Sequence, residues 1–217
     1  MTKVPERVDP IAAELSRLCE HAVSTLPATG AGLSVMTRDI QLGLLAAADP
    51  VSERLEELQF VLGEGPCVDA IAEGRPVLVP NLAAGPPRWP VYAEAVLDAG
   101  MKAVFAFPLQ IGAARLGVID FFRAGPGQFS GIELKQAFAF ADEAVAILLD
   151  GGIGGEAQPI AGPIELFQAQ GMVMVQLGGT LAEAMARIRA YAYAENRRLS
   201  NIAHDIVART LRFDRDG

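Results

Sequence analysis

Three side chains near the C-terminus have the types and the spacing that suit contacts with nucleic acid bases. Arg189, Tyr193 and Asn196 stand at positions i, i+4 and i+7, so on a helix they lie along one flank. A guanidinium, an aromatic ring and an amide can stack on unpaired bases and hydrogen-bond to their edges. Arg197 and Arg198 follow closely and suit phosphate contacts. The spacing is compatible with a surface that contacts RNA, but taken alone it favours a solvated polar flank in which Asn196 is a cap or turn residue.

Four residues of the N-terminal part are candidates for lining a ligand pocket. Cys67 stands at the start of a short predicted helix, where the helix dipole lowers the pKa of a thiol and favours redox sensing. Trp89 lies in a proline-rich loop and is a candidate for stacking on a ligand, and Phe105 lies in a predicted strand. Asp120 interrupts another apolar strand. From the residues alone, a buried structural thiol is the preferred interpretation of Cys67 and a hydrophobic plug that of Trp89. For Asp120, a position facing solvent or a flanking helix is as open as one facing a pocket.

The sequence shows no recognisable catalytic arrangement. It contains no Ser/His/Asp or Cys/His set, no phosphate-binding loop and no metal-ligand motif, so we predict no catalytic residues, no metal site and no enzyme activity. Two cysteines, Cys19 and Cys67, are too few for a disulfide framework and are predicted to be reduced, mostly buried thiols. No cofactor is evident, and the expected ligand is an unidentified small molecule.

The composition is that of a folded protein with a sizeable core. Of 217 residues, 51% are hydrophobic and 20% are charged. No segment resembles a signal peptide or a membrane span, so we expect a cytoplasmic protein without a membrane partner. The net charge is −8, but residues 160–217 hold seven Arg, no Lys and six acidic residues, a net charge of +1. Arg is the side chain best suited to phosphate contacts, so this segment is the better candidate for binding nucleic acid.

Hydrophobic periodicity indicates that helices and strands are interspersed through residue 149. Sequential strands joined by tight turns favour an antiparallel sheet with helices packed on it, an α+β fold. The last of these helices is expected to bury Ile132, Phe138, Ala141, Val145 and Leu148. Predicted helices cover 8–26, 50–59, 66–73, 91–99 and 130–149, and predicted strands cover 32–38, 41–48, 76–80, 102–110 and 115–123.

The remainder of the chain is predicted to be a linker followed by a small all-α bundle. Residues 150–163 are rich in Gly and Pro, which predicts the linker. Thr180 and Glu183 form a capping box that starts the middle helix, and Thr210 is expected to face inward from the last one. Three short helices form a marginal unit that gains stability from dimerisation or docking. They cover 164–177, Thr180 to about Ala192, and 198–211.

Motifs in the first 149 residues resemble the GAF domains of bacterial GAF–ANTAR regulators. The resemblance covers roughly residues 10–149. The matching motifs are GEGPC (63–67), GRPVLVP (74–80), RWP (88–90), an Ala-Gly turn (99–100), FPL (107–109) and RLGVID (115–120).

Residues 168–207 resemble the ANTAR domain. Two positions depart from that family's pattern: Gln170 stands where the family usually has Lys, which removes a cation expected at RNA, and Met185 stands where it usually has an aromatic residue, a core position that Met can fill. The matching residues are Gln168, Ala169, Gly171, Met174, Ala184, Arg189, Ala192, Asn196, Arg197, Arg198, Leu199 and Ala203.

Together the two resemblances imply an RNA-binding transcription antitermination regulator. The ANTAR-like domain (164–217) is expected to bind paired hairpins in nascent transcripts, and the GAF-like domain (1–149) is expected to sense an unknown signal. A homodimer is expected through helices 8–26 and 130–149. The residues predicted to contact RNA are Gln168, Gln170, Arg189, Tyr193, Asn196, Arg197 and Arg198.

Three other functions remain open at this point. A three-helix bundle is also compatible with a DNA-binding regulator of the helix-turn-helix kind. Some GAF domains reduce methionine sulfoxide through cysteines, which here would require Cys19 and Cys67 to act together. The third alternative is a GAF dimer whose helical tail serves only protein contacts.

Overall fold

A sheet flanked by helices is followed by helices alone. The computed structural model describes residues 10–36, 42–84, 88–151, 161–195 and 197–214. The strands are β1 (Gly30–Met36), β2 (Leu42–Ala47), β3 (Val77–Val79), β4 (Ala103–Ile111) and β5 (Ala114–Arg123). The helices are α1 (Pro10–Thr25), α2 (Pro50–Leu62), α3 (Pro66–Glu73), α4 (Pro90–Asp98), α5 (Gly131–Asp150), α6 (Ala161–Leu177), α7 (Leu181–Ala194) and α8 (Leu199–Val207).

The strands form one antiparallel sheet in the order β2-β1-β5-β4-β3. The predicted α+β fold is therefore confirmed. Gly117 in β5 lies so close to β1 that an added Cβ would stand 2.2 Å from the Ser34 carbonyl oxygen. Only glycine allows these two strands to pair at that point, and this pairing places β5 at the centre of the sheet.

Alternation along the central strands divides the core into two layers. Phe105 and Phe107 of β4 belong to the cluster that packs against α1 and α5. Val104 and Ala106, which point to the other face, belong to the cluster formed with α2, α3 and α4. Successive side chains of a strand alternate between faces, so each strand contributes to both layers.

The C-terminal helices have a core of their own that is continued by α2. Ile188 of α7 and Ile202 of α8 are fully buried there, together with Val173 of α6. Phe60 and Val61 of α2 pack against this cluster. The helical unit therefore lies on α2, in agreement with the expectation that such a small bundle needs a docking partner.

The predicted core face of α5 is in part wrong. Ile132 is 74% exposed and Phe138 is 44% exposed, whereas Ala141 and Leu148 are buried as predicted. The buried stripe runs through Ala137 rather than Phe138. One residue on a helix corresponds to a rotation of about 100°, so bulky Phe138 lies at the edge of the stripe, where its ring still meets Phe107 at 5.2 Å.

Two helix ends differ from their predicted positions. Helix α6 begins at Ala161, inside the predicted linker 150–163. Pro163 does not prevent this start, because a proline in the first turn of a helix loses no hydrogen bond. Helix α8 ends at Val207 instead of Leu211, and Thr210 is exposed rather than inward-facing. Arg209 takes a left-handed φ of 62°, which stops the helix.

The predicted start of the middle helix of the bundle is confirmed. Gly178, with a φ of 66°, follows the end of α6, and the capping box of Thr180 and Glu183 starts α7. Helix α5 also starts with a capping box, formed by Ser130 and Glu133. Among the described residues, no helix is long and apolar enough to cross a membrane.

We predict that Ser130→Ala lowers the free energy of unfolding by about 1 kcal/mol, the usual effect of losing an N-cap. The Ser130 hydroxyl accepts a hydrogen bond from the Glu133 backbone N–H, which Ala cannot do. Urea denaturation followed by circular dichroism measures the change. The control is Ser200→Ala, an exposed position on α8; equal losses in the two variants contradict the prediction.

Candidate functional site

Helix α2 is held close over the sheet by a strong N-cap and by two glycines beneath it. Asp49 Oδ1 accepts hydrogen bonds from the backbone N–H groups of Val51 and Ser52 at 2.8 and 3.0 Å. An added Cβ at Gly30 would lie 2.1 Å from the Ser52 hydroxyl, and one at Gly32 would lie 2.4 Å from Glu56 Cγ. The glycines therefore make room for polar side chains of α2 to enter the space above β1.

Those side chains form a buried polar cluster with β1 and β5. Glu56 Oε2 accepts a hydrogen bond from the Ser34 hydroxyl at 2.8 Å, and Asp120 Oδ2 accepts one from Gln59 Nε2 at 2.6 Å. Gln59 Oε1 in turn accepts the backbone N–H of Cys67 at 2.8 Å. The two carboxyl groups are fully or almost fully buried. Asp120 thus points into the interior against the flanking helix α2, so that alternative is the one observed and the position facing solvent is excluded.

Burial dominates the electrostatics of this cluster. Desolvation raises the pKa of Glu56 well above its ordinary value, and the neighbouring Asp120 carboxylate raises it further. Desolvation also raises the pKa of Asp120 to about 6, although hydrogen bonds from Glu56 and Gln59 oppose that rise. The two carboxyl groups interact directly, so one proton shared between them relieves their repulsion.

A cavity of about 290 Å³ opens beside this cluster. Glu56 and Cys67 line its interior, and Arg115 and Arg189 line it as well. Arg115 is exposed and donates to the Ala72 carbonyl oxygen at 2.8 Å. Arg189 belongs to α7, so the cavity wall contains a residue from the C-terminal helices.

The structure brings together only two of the four predicted pocket residues. Cys67 lines the cavity and Asp120 adjoins it through the buried cluster. Trp89 lies at a separate cavity of about 250 Å³, where its indole N–H donates to Asp69 at 3.0 Å. Phe105 lies on the other face of the sheet and stacks on Phe129 at 4.1 Å, because strand alternation points it away from Asp120.

The sequence interpretation missed three further residues of this region. Glu56 and Gln59 lie one turn apart on the inner face of α2, and Tyr92 of α4 is fully buried next to the cluster. The sequence contains one signal for Glu56: it directly follows Leu55, which is buried. On an amphipathic helix, the position of Glu56 is therefore one at which an apolar residue is expected. A charged residue at such a position points to a polar partner in the interior.

The outer face of α2 contacts the C-terminal helices through two arginines. The Arg189 guanidinium lies 4.8 Å from the centre of the Phe60 ring, a cation–π contact. Arg198 Nη1 pairs with Glu53 Oε1 at 2.7 Å, and its Nε lies 3.7 Å from Glu57 Oε2. Glu53, Glu57 and Phe60 follow at i, i+4 and i+7, so one stripe of α2 carries this contact.

Comparison with known families accounts for both parts of the chain. The family model of the GAF domain matches residues 10–149, and that of the ANTAR domain matches residues 165–207. The chain is a GAF–ANTAR protein. A comparison of the sequence with curated proteins gave no match.

Solved structures share the fold of the GAF domain. The GAF domain region of a Geobacter sulfurreducens protein aligns with a TM-score of 0.55 at 13% identity, covering 64% of this chain and 93% of that one. GAF domains of phosphoenolpyruvate-protein phosphotransferases from Acinetobacter and Coxiella burnetii give TM-scores of 0.51 and 0.50 at 11% and 16% identity. They cover 65% and 69% of this chain and 84% and 86% of theirs. At these identities the similarity shows the fold alone.

The remaining candidate RNA contacts of the ANTAR domain occupy different environments. Tyr193 is 57% exposed and, with Arg197, lines an interdomain groove of about 610 Å³. Arg197 pairs with Asp205 at 2.6 Å, and Gln168 is exposed on α6. Gln170 is only 3% exposed and donates to the Leu181 carbonyl oxygen at 2.8 Å, so in this arrangement it serves packing between α6 and α7. Asn196 lies outside the described residues.

The two cysteines of the GAF domain are free, buried and separated by the sheet. Cys19 belongs to the layer with α1, and Cys67 belongs to the layer with α3. Burial raises the pKa of Cys19 to about 12 and raises that of Cys67 well above its ordinary value, with a further rise from Asp120 and Glu56. The expected lowering at a helix N-terminus is therefore outweighed at Cys67, and the arrangement offers no thiol pair for reductase chemistry.

We predict that both thiols resist alkylation in the native protein at neutral pH. Only a thiolate reacts, and burial keeps both groups protonated and out of contact with the reagent. Iodoacetamide pulses followed by mass spectrometry should detect modification at Cys19 and Cys67 only in denaturant. Rapid modification of Cys67 in the native protein contradicts this and restores the redox-sensing alternative.

Proposed function

We propose that this GAF–ANTAR protein binds hairpins in nascent RNA through its ANTAR domain and thereby controls transcription termination. The GAF domain acts as the sensor that governs this binding. The pairing of a sensory domain with an RNA-binding module supports the proposal. RNA hairpins expose unpaired loop bases, and Arg189 and Tyr193 on α7 suit stacking and hydrogen bonds with them.

One observation carries the regulatory part of the proposal: two candidate RNA contacts also hold the GAF domain. Arg189 lies on Phe60, and Arg198 pairs with Glu53. A guanidinium in these contacts cannot at the same time reach a base or a phosphate. We infer that this arrangement is a closed state, in which the GAF domain occupies part of the proposed RNA-binding flank.

We predict that Arg189→Ala weakens binding to an RNA with two adjacent small-loop hairpins by about 1–3 kcal/mol, the cost of one good base contact. The matched control is Arg187→Ala, an exposed arginine two residues away on a different side of α7, which should bind as the unchanged protein does. Fluorescence anisotropy with hairpin RNA, scrambled RNA and duplex DNA measures the preference. Tighter binding to DNA than to the hairpins supports the helix-turn-helix alternative, and equal losses in the two variants place the site elsewhere.

Opening the closed state is expected to strengthen RNA binding. Phe60→Ala removes the surface on which Arg189 lies, and Glu53→Gln releases Arg198, while both arginines stay in place. We predict that each variant binds the hairpin RNA more tightly, by up to about 1 kcal/mol, since exposed cation–π contacts and surface ion pairs contribute about that much.

The control for this second experiment is Glu14→Gln, which makes the same charge change at an exposed position of α1. Unchanged affinity in both Phe60→Ala and Glu53→Gln contradicts the closed state but leaves RNA binding itself untouched. Binding to none of the nucleic acids by any variant favours a helical tail that serves protein contacts.

The homodimer through α1 and α5 stays a proposal that rests on apolar side chains exposed on α5. Ile132 and Leu149 are large apolar side chains that are exposed on α5, at 74% and 45%. They lie 17 residues apart, about 4.7 turns, so they point about 100° apart around the helix axis. A second copy of the chain would have to span that width of α5 to cover both side chains.

A further inference from the structure

Several buried polar atoms of the GAF domain lack a hydrogen-bond partner. Glu56 and Asp120 each use one carboxyl oxygen to accept a hydrogen bond, from Ser34 and Gln59 respectively. The second oxygens, Glu56 Oε1 and Asp120 Oδ1, find no N–H or O–H donor among the described residues other than the proton that the two carboxyl groups share. The hydroxyl of the fully buried Tyr92 also has no hydrogen-bond partner among the described residues. Buried polar atoms are normally paired, so a group of them in one place requires an explanation.

A thiol completes this group. One ligand atom each from Glu56, Cys67 and Asp120 lie within 4.8 Å of one another, and all three residues are buried. They come from α2, α3 and β5, three elements that the fold brings together from distant parts of the sequence. Glu56 and Cys67 also line the cavity of about 290 Å³, which gives the group a route to solvent.

We propose that Glu56, Cys67 and Asp120 bind a divalent transition-metal ion of the zinc type. The ligand atoms are two carboxylate oxygens and one thiolate sulfur. The Ser34 hydroxyl and the Gln59 amide orient the carboxylates from outside, as the hydrogen-bond partners of metal ligands do. A site of this kind goes beyond RNA binding and does not depend on it.

The donor set selects the class of ion. A thiolate ligand favours zinc and similar first-row ions, whereas Mg²⁺ and Ca²⁺ prefer sites made of oxygen alone. The ion replaces the proton shared by the two carboxyl groups and the proton of the Cys67 thiol, and both protons pass to solvent. In the occupied site, two carboxylates and a thiolate carry three negative charges and the ion carries two positive charges, which leaves one negative charge. The empty site, with a neutral thiol and a carboxyl pair that has lost one proton, also carries one negative charge. Binding of the ion therefore leaves the net charge of the site unchanged.

The competing explanation is a carboxyl pair that shares a proton next to an inert thiol. Cobalt(II) distinguishes the two, because it binds at zinc sites and gives an intense near-ultraviolet absorption only when a thiolate is its ligand. The test titrates CoCl₂ into the full chain after treatment with a chelator and a phosphine reductant. Competition with ZnCl₂ then gives the zinc affinity, and MgCl₂ is the negative control.

The expected result is a saturable thiolate-to-cobalt absorption at one ion per chain. Cys67→Ser abolishes it, while Cys19→Ser, the matched change on the other side of the sheet, keeps its full amplitude. Glu56→Gln and Asp120→Asn weaken cobalt binding at least about tenfold, and Ser34→Ala, which removes only an outer partner, weakens it by about 10- to 100-fold. Glu56→Gln has the shape of a neutral carboxyl group, so it preserves the fold, and circular dichroism verifies this for each variant.

Three outcomes overturn the proposal. Absence of the absorption in the unchanged chain indicates a protonated carboxyl pair only. An equal absorption in Cys67→Ser, or its loss in Cys19→Ser, assigns the ion to a different thiol. Thermal unfolding provides an independent readout, since an ion that binds only the folded chain stabilises it by an amount that increases with the logarithm of the ion concentration relative to Kd. ZnCl₂ should therefore raise the melting temperature of the unchanged chain and of Cys19→Ser but not that of Cys67→Ser.

Discussion

Helix α2 packs against two neighbours at once, and both the cavity and the domain contact depend on its rotation about its own axis. Its inner stripe sends Glu56 and Gln59 toward β1 and β5, while its outer stripe sends Glu53, Glu57 and Phe60 toward the ANTAR domain. Glu56 and Glu57 are adjacent in sequence yet serve different domains. A rotation or shift of α2 that suits one neighbour therefore changes the contacts with the other, which is the physical requirement for a sensor to communicate with an RNA-binding module.

The sheet keeps the two layers of the GAF domain chemically distinct. The layer with α1 and α5 is built from Phe, Leu and Ala, and that uniform apolar packing makes it a structural core. The layer with α2, α3 and α4 contains the buried carboxyl groups and the cavity. Because a strand alternates its side chains, Asp120 can lie among polar atoms while its neighbours Ile119 and Phe121 complete the apolar core behind it.

Much of the fold could be predicted from local patterns. Strand alternation indicated the antiparallel sheet, and the capping box of Thr180 and Glu183 marked the start of α7, because those signals depend on residues close together in sequence. The core face of α5 was misjudged at Phe138, since hydrophobicity alone cannot tell a bulky residue at the edge of a stripe from one at its centre. Glu56 was missed because its partner Asp120 stands 64 residues later, and only the fold brings them together.

The candidate RNA contacts illustrate a second limit of sequence interpretation. The spacing of Arg189 and Tyr193 placed them on one flank of a helix, but spacing carries no information about which domain covers that flank. Arg189 lies against Phe60, whereas Tyr193, one turn away, is largely exposed. The placement of Gln170 inside the bundle was equally invisible, because an amide is compatible with both a surface and a satisfied interior position.

Arg189 forms part of the wall of the GAF cavity and is also a candidate for contact with RNA. Thermodynamic linkage then works in both directions: whatever fills the cavity and alters the position of Arg189 changes the affinity for RNA, and RNA changes the affinity of the cavity by the same factor. A hairpin that draws α7 away from α2 would act on the sensor as an effector. The transcript would in that sense be a second input to the GAF domain as well as its target.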